Sequence, residues 1–350
     1  MTEPLSPGDA IQLGGQPFPS EAGQPKPPQI NLTPGVYRKG EAGFIAPGSP
    51  EHSIVISPSK VAAILGVGRW ESPYRLWHRM KGLTPPEPDK DDFRVGHAFE
   101  STLAYLWKHD PKVDNAKWQL SPDEVQFVGD AERFGFPYVV TLDRRARSGS
   151  SRRILEFKTC RGFEDWGDDF TDEAPPDYVL QVQAQMLLTG FTTHPAHLVV
   201  MNKLGCQHHI YEIPFKESIA DVIVEECRLF YASLSADTAP PLDDSVATYE
   251  CVREQHPEID KGIEAEIPVE LALEYHEAWA ADDEATKRLR FAKTQILDAI
   301  GRANFAVAAG ERVARRQSAA RGAISLNRIK PGSKAALAGT QPAQDEGAVA

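Results

Sequence analysis

The sequence predicts an α/β chain: a mixed (α+β) sheet flanked by helices. Three observations predict it. Short apolar runs of the kind that form strands fall around Val125 to Val128, Gly135 to Asp143 and Arg153 to Lys158, and again in HLVVMNK and HHIYEIPF. Stretches with apolar residues three and four apart stand before, between and after them. The resulting order of helix, three strands, helix, strand, strand implies a mixed sheet flanked by helices.

Residues 1 to 50 are rich in Pro and Gly (GGQPFPSEAGQPKPP, APGSP) with little apolar periodicity, so they read as a disordered or loosely attached arm. Structure begins at SPSKVAAILG, where Ser57 suits a cap, Pro58 the first helical position and Gly66 the exit. The same grammar recurs in SPYRLWHRMKG, from Ser72 and Pro73 to Gly82. Trp70, Tyr74 and Trp77 fall at helical intervals there and read as core. After the loop TPPEPDKDD, the helix FRVGHAFESTLAYLWKHD carries an apolar face of Phe99, Leu103 and Leu106.

The three strands that follow read as a meander, with ARSGSS as the loop between the last two. DYVLQVQAQMLLTG is a helix, and Ser218 to Ser235 is another. Pro268 to Ile300 predicts a long amphipathic helix ending at Gly301, followed by the hairpin ANFAVAAGERVARRQ turning at Ala309 and Gly310. The expected division is an arm over 1–50, a folded domain over 51–240, a long helix plus basic hairpin over 241–334 and a disordered tail over 335–350.

The chain has 350 residues and no run approaching the roughly 18 apolar residues of a membrane span. Its start, MTEPLSPGDAIQL, lacks the basic and apolar regions of a signal peptide, so a cytoplasmic protein without membrane partners is expected. The four cysteines have no CxxC spacing and the ten histidines no HExxH, which argues against a zinc or iron–sulfur site. A net charge of −12 argues against indiscriminate binding to phosphates. Between Lys287 and Lys334, however, 12 Lys and Arg meet two acids, leaving +10 there and −22 on the rest. That asymmetry suits a chain that places one basic face against nucleic acid, or a basic solvated surface.

One stretch carries chemistry. In RRILEFKTC, Glu156 and Lys158 interrupt an apolar strand, and alternation puts them on one face about 7 Å apart, with Leu155 and Phe157 on the other. Charges in a core strand need partners, because burying them bare costs several kcal/mol. Asp143 ends the preceding strand thirteen residues earlier, so pairing would bring it beside Glu156. Two carboxylates beside a lysine make a hard-oxygen site suited to Mg²⁺; an isolated ExK in a strand is otherwise a surface ion pair.

Asp143 followed by Glu156-Phe157-Lys158 resembles the PD-(D/E)xK nuclease signature. SPSKVAAILGVGRWESPYRLWHRMKG, GHAFE and YVLQVQAQM, in that order, resemble the opening, the acidic helix and the Y-x-x-Q-V-Q helix of the YqaJ-type viral recombinases, relatives of phage lambda exonuclease. The resemblance covers about residues 52 to 215. It implies a restriction-endonuclease-like core with flanking helices and a C-terminal helix-hairpin extension. By this resemblance Glu100, Asp143 and Glu156, with the Phe157 carbonyl, hold one or two Mg²⁺ (or Mn²⁺) ions. Lys158 orients and helps deprotonate the attacking water, and Gln181 positions that water or the lysine. Ser59 and Thr141 contact the terminal phosphate, Thr141 standing where the family often has serine. Where the family has an arginine seven residues before the helix serine, this chain has His52, with Arg69 as the other candidate; TLDRR replaces the more usual SPDG.

The implied activity is Mg²⁺-dependent hydrolysis of one strand from duplex DNA ends, 5′ to 3′, leaving single-stranded tails for recombination. The implied setting is a phage-encoded protein in the host cytoplasm, with a single-strand annealing protein as partner and a homo-oligomer, a trimer by resemblance alone. The alternatives are a metal-dependent endonuclease of the same fold and a non-catalytic DNA- or protein-binding module.

Overall fold

The computed structural model describes residues 32–84, 91–113, 115–318, 322–332 and 336. The expected arm therefore lies outside the described residues up to residue 31, as does the expected tail apart from Ala336. The remainder of the expected arm is structured. Strand β1 (Gly35–Arg38) pairs antiparallel with a later strand, and α1 (Pro50–Ser53) follows. In that Pro- and Gly-rich context, Val36 and Tyr37 supply enough side chain to extend a sheet: Tyr37 packs on a small cluster of Val55, Val128 and Val139.

Helices α2 (Pro58–Ile64) and α3 (Pro73–Met80) start and stop where their local signals place them. Proline occupies the first turn of each, and Gly66 and Gly82 leave with φ of 72° and 71°, a left-handed exit without a Cβ penalty. Trp77 is buried, whereas Trp70 precedes α3 and is 82% exposed, so it is not core. Helix α4 (Asp91–Lys108) turns Leu103 and Trp107 inward.

The strands β2 (Gln119–Leu120), β3 (Val125–Gly129), β4 (Tyr138–Leu142), β5 (Arg144–Ser148) and β6 (Ser151–Cys160) do not form one meander. β1, β3 and β4 make a three-stranded sheet. The chain then crosses at Asp143 into a second sheet, ordered β2-β5-β6-β7-β8, with β7 (Ala196–Asn202) and β8 (His208–Ile213). ARSGSS is thus not a loop. Most of it is strand, and the hairpin turns at Gly149, φ 58°. β5 alternates buried Arg144 and Ala146 with less buried Arg145 and Arg147, a period of two that the charges conceal.

β6 is central, antiparallel to β5 and parallel to β7, and α5 (Pro176–Thr189) makes the crossover between them. Leu155 and Phe157 join Leu103, Trp107, Trp118, Val199, Met201 and Ile210 in one buried cluster beneath α4. Helix α5 covers the opposite face, and α2 and α6 (Glu217–Ser235) pack on it. Sequence reading missed α7 (Val246–Gln255), which packs against α3. Ser245 caps it through the Thr248 N–H at 3.1 Å, and Arg75 of α3 donates to Glu250 and Glu254 at 3.1 and 2.9 Å.

By contacts the chain divides into two units: Met1–Arg161 with Trp166–Pro257, and Gly162–Asp165 with Glu258–Ala350. The division follows α7 rather than falling near residue 240, because α7 is fixed to α3. In the second unit, α8 (Val269–Ile300) leads to a sheet ordered β11-β10-β9. β9 (Phe305–Ala308) and β10 (Glu311–Ser318) turn through Ala309 and Gly310 as expected; both have positive φ, the two-residue turn whose twist matches the strands. β11 (Ile324–Arg328) adds a strand that sequence reading did not place.

Ser72 accepts from the Arg75 N–H at 3.1 Å and from the Thr248 hydroxyl at 2.7 Å, capping α3 and tying α7 to it. Ser72→Ala should destabilise the chain by about 1–2 kcal/mol, read as a lower urea midpoint at unchanged slope.

Candidate active site

The register of the β5–β6 hairpin ends with Arg144 opposite Leu155, so Asp143 stands one step further, opposite Glu156. There the backbone ladder stops and a side chain continues it. Asp143 Oδ2 accepts from the Phe157 N–H at 2.7 Å. In an extended strand the N–H and C=O of one residue point to the same edge, so the Phe157 carbonyl faces the Asp143 side as well.

Glu156 points to the opposite face from Leu155 and Phe157, toward α5, and is 2% exposed. Its carboxylate has three donors: Lys158 Nζ and Gln181 Nε2 reach Oε1, each at 2.5 Å, and Gln185 Nε2 reaches Oε2 at 2.6 Å. Gln181 and Gln185 are one turn apart on α5, which puts both amides on one face. Tyr178, a further turn back, lies beneath two cations, with Lys158 Nζ 5.5 Å and the Arg69 guanidinium 4.7 Å from its ring centre. Three partners make burial of Glu156 tolerable.

The electrostatics are uneven. Burial raises the Asp143 carboxyl well above the usual range and the charges of Glu156 and Glu100 add to it, against the lowering pull of Lys158 and the Phe157 N–H. Burial alone would lower the pKa of the Lys158 ammonium, but Glu156 and Asp143 outweigh it and hold the group charged well above the ordinary lysine range. Arg144 adds a second buried cation, with Nη1 3.9 Å from Glu100 Oε2.

Glu100 lies on α4 at i−3 and i−7 from Leu103 and Trp107, on the sheet-facing side. His97 Nδ1 is 2.6 Å from its Oε1. Among the described residues, His97, Glu100 and Glu124 present ligand atoms all within 4.8 Å of one another; Glu100, Asp143 and Glu156 do not form such a group. Asp143 is turned onto the Phe157 N–H and Glu156 onto α5. In chemistry, though not in convergence, the donor set suits a divalent cation. Three carboxylates and a carbonyl are hard-oxygen ligands, their oxygens have lone pairs to spare, and buried like charges raise Asp143. Beside them, Gln185 Oε1 is buried without a hydrogen-bond partner in the structure.

The residues expected at a phosphate have other partners in this structure, although Arg69 shares the Tyr178 ring with Lys158. Ser59 is exposed in the first turn of α2, its Oγ 3.1 Å from Ser57 Oγ. Thr141 accepts from Gln126 Nε2 at 3.1 Å. Arg69 pairs with Asp177 at 2.8 Å. His52 does not carry the expected positive charge: burial, then Lys60 and Arg79, lower its pKa to about 4. Lys60 is itself turned inward, donating to the carbonyls of His52, Ser53 and Val55.

Sequence reading did not assign Gln185, Arg144, His97 or Glu124 to the site. The i,i+4 glutamines and the i,i+3 His-Glu pair were visible as helix spacings, whereas nothing local marks Glu124. A charged strand in a mixed sheet, with a carboxylate from the neighbouring strand and a helical Gln over it, is the arrangement expected of a restriction-endonuclease-like PD-(D/E)xK core. Residues 49–192 match the YqaJ-like viral recombinase domain.

The uncharacterized protein YqaJ of Bacillus subtilis (strain 168) is 25% identical over 212 residues, 59% of this chain and 61% of that protein. The match thus spans less than two thirds of the curated relative. The alkaline exonuclease LHK-Exo from Laribacter hongkongensis, alone and in complex with dAMP, is 15% identical with a TM-score of 0.37, covering 53% of this chain and 90% of that one. Among the described residues, no helix is long and apolar enough to cross a membrane.

Neutral His52 has a consequence for stability. Its folded pKa, about 4, lies below the ordinary value of 6.5, so the unfolded chain binds the proton more readily. The stability is fully present above about pH 6.5 and is lost as pH falls through about 4, up to about 3 kcal/mol. Thermal melts between about pH 7 and about pH 4 should show His52→Gln losing less stability than the wild type.

Proposed function

We propose that the chain is a metal-dependent DNA exonuclease of phage type. It hydrolyses one strand from duplex ends, 5′ to 3′, and leaves a single-stranded tail for an annealing protein. The observation that carries the reading is Asp143, held on the Phe157 N–H at the end of the hairpin ladder, beside Glu156 and Lys158. The recombinase-domain match supports it. The dAMP complex of LHK-Exo is a property of that protein.

In this reading Glu100, Asp143, Glu156 and the Phe157 carbonyl hold Mg²⁺ or Mn²⁺. The bound ion lowers the pKa of a coordinated water and offsets charge growing on the phosphate. Gln181 and Gln185 fix the Glu156 carboxylate in one orientation against α5, leaving its remaining lone pairs for the ion. Lys158, kept as an ammonium by Glu156 and Asp143, donates hydrogen bonds and positive charge to water or phosphate; as it stands here it is no proton acceptor. Ser59, Thr141 and Arg69 are the proposed contacts to the terminal phosphate.

The test uses 5′-labelled linear duplex with and without a 5′ phosphate, beside the same DNA as a closed circle. Mononucleotides released from one strand of the linear form, an intact circle, loss of activity in EDTA and recovery with Mg²⁺ or Mn²⁺ are expected. A cut circle points to the endonuclease instead. Glu156→Gln and Lys158→Ala should each lower the rate by roughly 10²–10³-fold. Gln185→Ala, acting through Glu156, should lower it and the apparent metal affinity by about tenfold.

A further inference from the structure

Helix α8 is 32 residues long and none of them is buried. At 1.5 Å per residue it extends about 48 Å. Only near its C-terminal end do Ile296, Leu297 and Ile300 pack on its own unit's sheet, against Ala306, Ala314 and Leu326. The rest is exposed, including Leu271, Tyr275, Trp279 and Leu289, at 47%, 60%, 58% and 57%. A helix of this kind draws little stability from propensity alone and is normally held by a packed apolar face.

Its residues follow a seven-residue repeat. Leu271, Tyr275, Ala278, Asp282, Ala285, Leu289, Ala292 and Ile296 recur at alternating spacings of four and three, the seam of a coiled coil. The charge is sorted along the same helix. Glu270, Glu274, Glu277, Asp282, Asp283 and Glu284 occupy the first half; Lys287, Arg288, Arg290 and Lys293 follow, with Asp298 the one acid of the second half. A parallel copy would set acids against acids and Asp282 against Asp282. An antiparallel copy sets each half against its opposite.

We infer that α8 pairs antiparallel with α8 of a second copy of this chain, about a two-fold axis near residues 283 and 284. That register places large residues against small ones: Tyr275 faces Ala292, Leu289 faces Ala278, and Asp282 faces Ala285 of the second copy, with Leu271 at the rim beside Ile296. Flanking the seam, Glu274 faces Arg288, and the Trp279 ring meets the Lys293 ammonium. Each contact occurs twice, because a two-fold interface is isologous. Asp282 is the polar seam residue; opposite alanine it remains near the edge of the seam, whereas opposite itself it would meet like charge.

The full chain tests this with a readout independent of DNA hydrolysis. The double variant Asp282→Cys/Ala285→Cys, mildly oxidised, should form a covalent dimer on a non-reducing gel. Each single cysteine variant should remain at the background set by the four native thiols. Glu274→Arg should weaken dimerisation by about tenfold in sedimentation equilibrium, two ion pairs being reversed, and Arg288→Glu added to it should restore the affinity. Circular dichroism of each variant verifies that the helix is retained. A wild-type chain that stays monomeric overturns the inference and leaves the face to DNA or another protein. So does cross-linking in the Asp282→Cys variant alone, or a charge reversal without effect.

Discussion

The hydrogen bond from the Phe157 N–H to Asp143 is the constraint around which the first unit is arranged. The chain leaves a three-stranded sheet at Leu142 and enters a five-stranded one at Arg144, and the residue between belongs to neither. An unpaired N–H in the middle of a buried strand costs about as much as a lost hydrogen bond, so the switch has to be covered. A carboxylate covers it better than a carbonyl, because a charged acceptor makes the stronger bond and retains a second oxygen. The same feature that lets the chain pass from one sheet to the other thus puts a spare carboxylate oxygen beside Glu156 and Lys158.

Glu156 is the counterpart on the other face. Its burial is tolerable because α5 lies over β6 with two glutamines one turn apart, and Lys158 closes the remaining approach. Sheet and helix therefore specify one another. Here the buried acid of ExK is met by a polar stripe on the helix above it, and the i, i+4 glutamines of that helix find an acid beneath. Beyond them, Tyr178 presents its ring to both Lys158 and Arg69, so the ammonium is held by an aromatic face as well as by carboxylates.

How much of this the sequence could tell depended on whether the signal was local. The starts and exits of α2 and α3, the crossover helix α5, the turn at Ala309 and Gly310 and the thirteen-residue offset from Asp143 to Glu156 all lie within a few residues or one hairpin, and each was legible, although Ser57 makes no side-chain cap bond and only Ser72 does. Strand β5 was not. RRARS has no apolar alternation, because its buried positions are Arg144 and Ala146 and its outer neighbour β2 spans two residues. Helix α7 hid because it buries only Ala247, Thr248 and Cys251 and is otherwise tied by polar contacts, to Ser72 and Arg75. Glu124 comes to Glu100 through the packing of α4, which no spacing in the sequence encodes. Gln185 was equally readable as a solvated face until Glu156 was seen beneath it.

The cation expected at a terminal phosphate is redistributed in this chain. His52 is neutral, held so by burial and by Lys60 and Arg79 nearby. Lys60 is spent on three carbonyls at 2.7 to 2.8 Å, and moving it outward would leave those acceptors unpaired. Arg69 differs from both. Its pair with Asp177 is 40% exposed on the arginine side, and exposed pairs of this kind contribute about 1 kcal/mol or less. A phosphate offers the guanidinium a doubly charged, bidentate partner, worth more than one carboxylate at the surface. Because Arg69 rests on the ring that Lys158 also faces, its transfer to a phosphate would leave Tyr178 to Lys158, so the proposed end contact and the proposed reaction centre share one aromatic side chain.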